Sequence, residues 1–455
     1  MQLQREAIEQ MDDSLQTQSS ESGTALCSRR TLLKRSGLLV ALAGTGVSSY
    51  PALAAGKQID VYAGSWIRKG GKKGFYRYKF DTESGVLTFV ETVDTAYSVG
   101  GTLVDAAHRL VYVTDENDEQ PDFRLGGGGT VGVYRIDPAS GALSKIGAQR
   151  SFGANPSMIA IDPTGKYMVA SIHGTNDPVT RVVETAPHRY EVVAQYPTSS
   201  INLFPLKTDG TLDAPRDVHE TFGSGPHGNQ TNSHPHCVVW DPEGQFFLCC
   251  DKGADRIYSM SIDYSAERIV QTAEPYRLAP GSVPRYARFN AERKLVYINF
   301  ESANEVAVFR YDERGALTKV GAEPVVTKAL LAKVPAGAHF EQQDMRLHPS
   351  GKLLFTVVRG SLDYVEGGTR KYRQGFDGVT SFAIDSAGML KRIDTIEMTA
   401  SWPRGCAISP DGRFLLVACL YSDEIVTLAI ADNGTLSKTS SVSQNAAANL
   451  AFSAG

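Results

Sequence analysis

Two short strand–turn–strand units alternate along this chain, and that alternation restricts the possible folds more than any other feature. The first unit is an alternating strand, a turn of the Asp-Pro-x-Gly-Lys type and a second apolar strand. It occurs at residues 101–113, 158–169, 237–248, 287–298, 345–357 and 406–417, with turns such as Asp162-Pro163-Thr164-Gly165-Lys166 and His348-Pro349-Ser350-Gly351-Lys352. The second unit is an alternating strand ending in Asp, then Gly-x-Leu and another strand. It begins its turn at Gly85, Gly141, Gly210, Gly315, Gly388 and Gly434, and a degenerate copy around Ser265 to Arg268 brings the count to seven.

One unit of each kind makes four short strands, the content of a propeller blade. Six of the first against seven of the second leaves one blade short of a hairpin. An N-terminal strand at 58–64 pairing with a C-terminal strand at 446–453 supplies it, and closing the ring removes the sheet edges that invite aggregation. The expected fold is therefore all-β: a seven-bladed propeller of four-stranded antiparallel blades over residues 55–455. A pair of β-sandwiches is the structural alternative, but it requires no fixed repeat. Long loops at 66–74, 116–129, 174–199 and 362–378 break the pattern, and long loops on a rigid scaffold commonly line a site.

Residues 1–54 read differently. Ser28-Arg29-Arg30-Thr31-Leu32-Leu33-Lys34 resembles a twin-arginine export signal, an apolar run from Gly37 to Ala43 follows, and Ala52-Leu53-Ala54 is a small-x-small cleavage site. The apolar run is too short to span a bilayer. These features predict a twin-arginine signal peptide over 1–54 with a disordered n-region at 1–27, cleavage near Ala54, export by the Tat machinery to the periplasm and no stable membrane insertion afterwards. The net charge of −4 gives no reason to expect nucleic acid as a partner. Removing the leader removes Cys27 and leaves five cysteines, an odd number that implies at least one free thiol. Cys249 and Cys250 are adjacent, and on a strand they face opposite sides of the sheet.

Four segments place ionisable residues at the ends of first-unit strands. They are His234-Pro235-His236-Cys237, Pro284-Arg285-Tyr286 with Glu301 at the end of the same hairpin, Val358-Arg359-Gly360, and Pro403-Arg404-Gly405. In a propeller such strand ends converge on the central channel. Arginine holds a carboxylate or phosphate in a fixed fork and stabilises charge developing on a carbonyl oxygen. Histidine accepts a proton from water near neutral pH, and a glutamate orients it or replaces it. His234 and His236 alternate like metal ligands, with His227 nearby, but no further Cys/His cluster completes a zinc set. Read on these residues alone, the chemistry stays open.

At these same residues the chain resembles the lactonase family of seven-bladed propellers, which includes the cofactor-independent 6-phosphogluconolactonases and is similar in fold to carboxy-cis,cis-muconate cyclase. The best stretch runs from Leu203-Phe204-Pro205-Leu206 through His234-Pro235-His236-Cys237 to Asp251-Lys252-Gly253. The resemblance implies a cofactor-free active site of His236, Arg285, Glu301 and Arg359, with His234, Tyr286 and Arg404 binding a small-molecule substrate. Tyr286 stands where the family usually has histidine, Cys237 where it has serine, and Phe300 and Val358 where it has asparagine. The expected activity is a lactone hydrolase in the periplasm, with His236 as base and Glu301 as its orienter or substitute. A cycloisomerase running the same chemistry in the closing direction and a non-catalytic binding propeller are the rival readings.

Overall fold

The computed structural model describes residues 58–67, 73–117, 128–366, 369–373 and 375–453. The leader, its cleavage site and parts of the 66–74 and 116–129 loops lie outside the described residues.

Seven four-stranded antiparallel sheets form the described body. Six run consecutively, innermost strand first: blade 1 over 99–150, blade 2 over 156–221, blade 3 over 235–277, blade 4 over 284–324, blade 5 over 341–397 and blade 6 over 403–443. Blade 7 is assembled from both ends of the body. Its innermost strand is Ala447–Phe452, followed outward by Gln58–Ser65, Gly74–Asp81 and Leu87–Asp94. The expected closure is thus the one observed, with Val61 opposite Phe452 and Gly64 opposite Asn449. A β-carbon on Gly64 would fall 2.3 Å from Val99 Cβ, so the closing strand reaches blade 1 only with glycine there.

The repeated turns work as their residues suggest. Gly165, Gly244, Gly351 and Gly412 each adopt the left-handed conformation, with φ between 66 and 76°. In the blade 2 turn, Asp162 Oδ1 accepts from the backbone N–H groups of Lys166 and Tyr167; in blade 3, Asp241 Oδ1 does the same for Gln245 and Phe246. The apolar core is divided among the blade interfaces. Leu110, Ile172 and Phe204 pack between blades 1 and 2, and Phe80, Leu416 and Leu450 between blades 7 and 6. The centre of the ring is left for polar groups.

Two of the expected loops are not loops. Within 174–199, Val179–Ala186 pairs with Arg189–Gln195; within 362–378, Leu362–Glu366 pairs with Thr369–Arg373. Both hairpins join the second and third strands of their blade, and neither enters a four-stranded sheet. They escape the repeat pattern because they lack its Gly-x-Leu turn; the first turns at Pro187 and His188 instead. Cys249 and Cys250 do face opposite ways, one toward blade 2 and one toward blade 4, and the five described cysteines are buried free thiols.

Candidate active site

His236, Arg285 and Arg404 hold the same position in three blades, and a one-residue irregularity puts each there. In blade 3, Pro235 lies opposite Asp251 and Cys237 opposite Cys250, so His236 is the extra residue of a β-bulge. In blade 4, Pro284 faces Phe300 and Tyr286 faces Asn299, leaving Arg285; in blade 6, Pro403 faces Cys419 and Gly405 faces Ala418, leaving Arg404. Proline opens each strand, where its missing N–H costs no ladder bond. The bulge then turns the next side chain into the channel mouth. Val283 and Trp402, just before two of these prolines, have φ of 56 and 64°.

A second set comes from the far end of the same hairpins. The backbone N–H of Lys252 donates to His234 O, that of Glu301 to Val283 O, that of Glu116 to Ser98 O and that of His173 to Asn155 O. Each of these four residues therefore sits one step beyond its second strand, beside the start of the first. Together with Glu341 and Arg359 at the ends of the blade 5 hairpin, the two sets line a cavity of about 290 Å³.

Within it the charges are paired. Glu301 Oε2 accepts from Lys252 Nζ at 2.6 Å and from Arg285 Nε at 2.9 Å. Arg359 Nε donates to Glu341 Oε2 at 2.5 Å, and Arg404 Nη2 to Glu116 Oε2 at 2.7 Å. Arg359 lies 3.4 Å above the Trp402 ring and Arg404 4.5 Å above Trp66. Burial alone would raise the Glu301 pKa, but Lys252, Arg285 and Arg359 outweigh it and hold the carboxyl well below the usual range. Burial lowers the pKa of Lys252, against the pull of Glu301. Burial also pushes His236 well below an ordinary histidine, and Arg285 and Lys252 push it further, so its ring is neutral at pH 7.

Three buried polar atoms on residues of this site have no hydrogen-bond partner: His236 Nδ1, Arg285 Nη1 and Gln343 Oε1. Leaving such atoms unpaired is costly, and a ligand oxygen is what would satisfy them.

The structure brings His236, Arg285, Glu301, Arg359 and Arg404 together on this cavity, and it places His234 and Tyr286 elsewhere. The His234 ring stacks on His173 at 4.2 Å; its Nδ1 donates to His173 O, and its Nε2 lies 2.8 Å from Asn176 Oδ1. That engagement removes it as a substrate contact and as a metal ligand alongside His236. Tyr286 packs edge-on to His236 with ring centroids 5.2 Å apart, and its hydroxyl approaches only Met158 Sδ. It supports the site from behind. Glu301 is likewise not the orienter of His236, because Oε2 is committed to Lys252 and Arg285 and Nδ1 of the ring has no partner. Lys252, Glu116, Glu341 and His173 were missed in the sequence. Their signal is positional: each stands at, or one residue beyond, the end of an inner-hairpin strand, as Glu301 does.

Comparison with known proteins gives consistent results. A sequence model of the family described as "Lactonase, 7-bladed beta-propeller" matches residues 60–452. A 6-phosphogluconolactonase of Bacillus subtilis (strain 168) is 22% identical over 359 residues, covering 78% of this chain and 87% of the relative. A 6-phosphogluconolactonase of Formosa agariphila is 25% identical over 376 residues, covering 80% of this chain and 91% of the relative. Among solved structures, the periplasmic gluconolactonase of Pseudomonas aeruginosa superposes with a TM-score of 0.71 at 23% identity, covering 87% of this chain and 99% of that one.

Proposed function

This chain belongs to the lactonase family of seven-bladed β-propellers, and from that premise we propose that it is an exported hydrolase that opens a sugar lactone or a similar cyclic ester. The observation that carries the proposal is the pair of buried, unpartnered atoms, His236 Nδ1 and Arg285 Nη1, on one charged cavity wall. They offer a proton acceptor for the attacking water and an oxyanion donor for the carbonyl of one bound lactone.

In this reading Arg285 and Arg359 receive the lactone carbonyl oxygen. Water attacks the carbonyl carbon and gives a proton to the neutral His236. As a free base His236 is weak, since protonating it adds a buried charge beside Arg285 and Lys252. The oxyanion that forms in the same step supplies the compensating negative charge, so imidazolium and oxyanion arise together. The tetrahedral centre then collapses, the ring C–O bond breaks, and the proton held by His236 passes to the departing alkoxide. Glu301 keeps Lys252 and Arg285 in place and balances their charge.

The twin-arginine-like segment at Ser28 to Lys34 and the Ala52-Leu53-Ala54 site support export to the periplasm. A proton-release assay on the mature protein with a panel of aldonolactones tests the activity. Turnover above the spontaneous rate that falls by roughly 10²–10³ in Arg285→Ala is expected. Absence of turnover on every lactone would overturn the reading. Product analysis separates ring opening from the cycloisomerase direction.

A further inference from the structure

We propose that the lactone this site takes is electrically neutral, a polyhydroxylated ring without a phosphate ester. The inference rests on the lactonase reading and concerns which lactone the cavity accepts.

Four cations line the cavity among the described residues: Lys252, Arg285, Arg359 and Arg404. Four carboxylates line it too: Glu116, Asp177, Glu301 and Glu341. Three of the carboxylates are already bonded to the four cations, since Glu301 serves both Lys252 and Arg285. Among the described residues the formal charge of the wall is therefore zero. A phosphate ester carries up to two negative charges near neutral pH and only acceptor oxygens toward most of its surroundings. Bound here it would bring that charge against carboxylates already paired with these cations.

A polyol meets the wall differently. Each hydroxyl both donates and accepts, so it can give a hydrogen bond to a carboxylate oxygen and take one from an arginine. Paired Arg–Glu groups present both kinds of partner side by side. The base of the 174–199 insertion adds to this. Thr175, Asn176 and Asp177 stand on the cavity rim, and the Asp177 carboxylate has no cation against it among the described residues. It is an acceptor suited to hydroxyls and repellent to anions. Only one new negative charge develops during ring opening, on the carbonyl oxygen, and Arg285 Nη1 is the open donor for it.

The test compares initial rates of proton release by the mature protein on glucono-1,5-lactone and on its 6-phosphate ester. The neutral lactone is expected to have a kcat/KM larger by about tenfold or more, a difference built from repulsion as well as fit. Asp177→Asn and Glu341→Gln should each narrow that ratio by favouring the ester. Equal or better turnover of the ester, or a ratio that neither variant moves, would overturn the inference and leave the lactonase reading standing. No turnover of either compound or of the wider lactone panel would overturn the lactonase reading, and the inference with it.

Discussion

Lys252 and Glu301 come from neighbouring blades and meet with Nζ 2.6 Å from Oε2, each just past the second strand of its inner hairpin. Both are almost wholly buried, with side chains 11 and 4% exposed. Arg285 completes the group by donating to the same oxygen. Replacing Glu301 with Gln leaves two buried cations facing a neutral amide. Breaking a buried pair by removing one partner costs about 3–5 kcal/mol. A drop of that order in the unfolding free energy from urea titration is expected for Glu301→Gln. Lys252→Met should cost less, because Arg285 still balances the carboxylate.

Arg285→Ala should preserve the fold, since Glu301 keeps Lys252, and should lower kcat/KM by roughly 10²–10³, the usual effect of losing one oxyanion donor. Arg285→Lys keeps the charge but loses the fork and should recover only part of it. Steady-state rates on the best lactone, corrected for spontaneous opening, measure both.

The pKa of His236 is lowered well below 6.5 by burial and by Arg285 and Lys252. A base with a lowered pKa stays neutral further into acid. The kcat/KM profile should therefore remain flat through pH 6 and fall only at lower pH. An acid limb centred near 6.5 would show that His236 is not the group that titrates.

The same burial makes the fold acid-sensitive. His234 is lowered to about 4 and His236 well below its ordinary value, and both are buried. Below pH 6.5 the unfolded chain binds protons at these histidines that the folded chain refuses. Stability is thus full above pH 6.5 and declines as pH falls toward 4, by about 1.4 kcal/mol per pH unit for each histidine fully refused. Urea midpoints at pH 7.5, 6 and 5 should decrease in that order, and His234→Gln should flatten the trend.

Tyr286 touches the back of His236 and reaches only a methionine sulfur with its hydroxyl. Tyr286→Phe is expected to leave kcat and KM within about twofold, because no substrate contact is lost. Tyr286→Ala should cost about 3–5 kcal/mol of stability through the cavity it opens beside Ala287, Phe300 and the rest of that core.

Much of this was legible in the chain because turns carry strong local signals. The x-Pro-x-Gly turns, in four of the six first-unit copies, and the Gly-x-Leu turns, in six of the seven second-unit copies, mark the repeat and the deficit that closure repairs. The Pro-His and Pro-Arg motifs point to His236, Arg285 and Arg404. What stayed hidden depends on register. One bulged residue decides whether a strand-end side chain enters the cavity or the core, so Tyr286, next to the bulged Arg285, packs into the core although its position implied a substrate contact. The hairpins Val179–Ala186 with Arg189–Gln195 and Leu362–Glu366 with Thr369–Arg373 were read as loops for a related reason: both lie outside the periodic turns.

The closing blade also imposes an order in time. Its innermost strand, Ala447–Phe452, is synthesised after every other blade, yet it is the seam to which the first strand, Gln58–Ser65, must bond. Until that late strand leaves the ribosome, the nascent chain is an open arc with an unsatisfied edge at each end and no complete channel mouth. Closure of the ring therefore follows synthesis of every other blade.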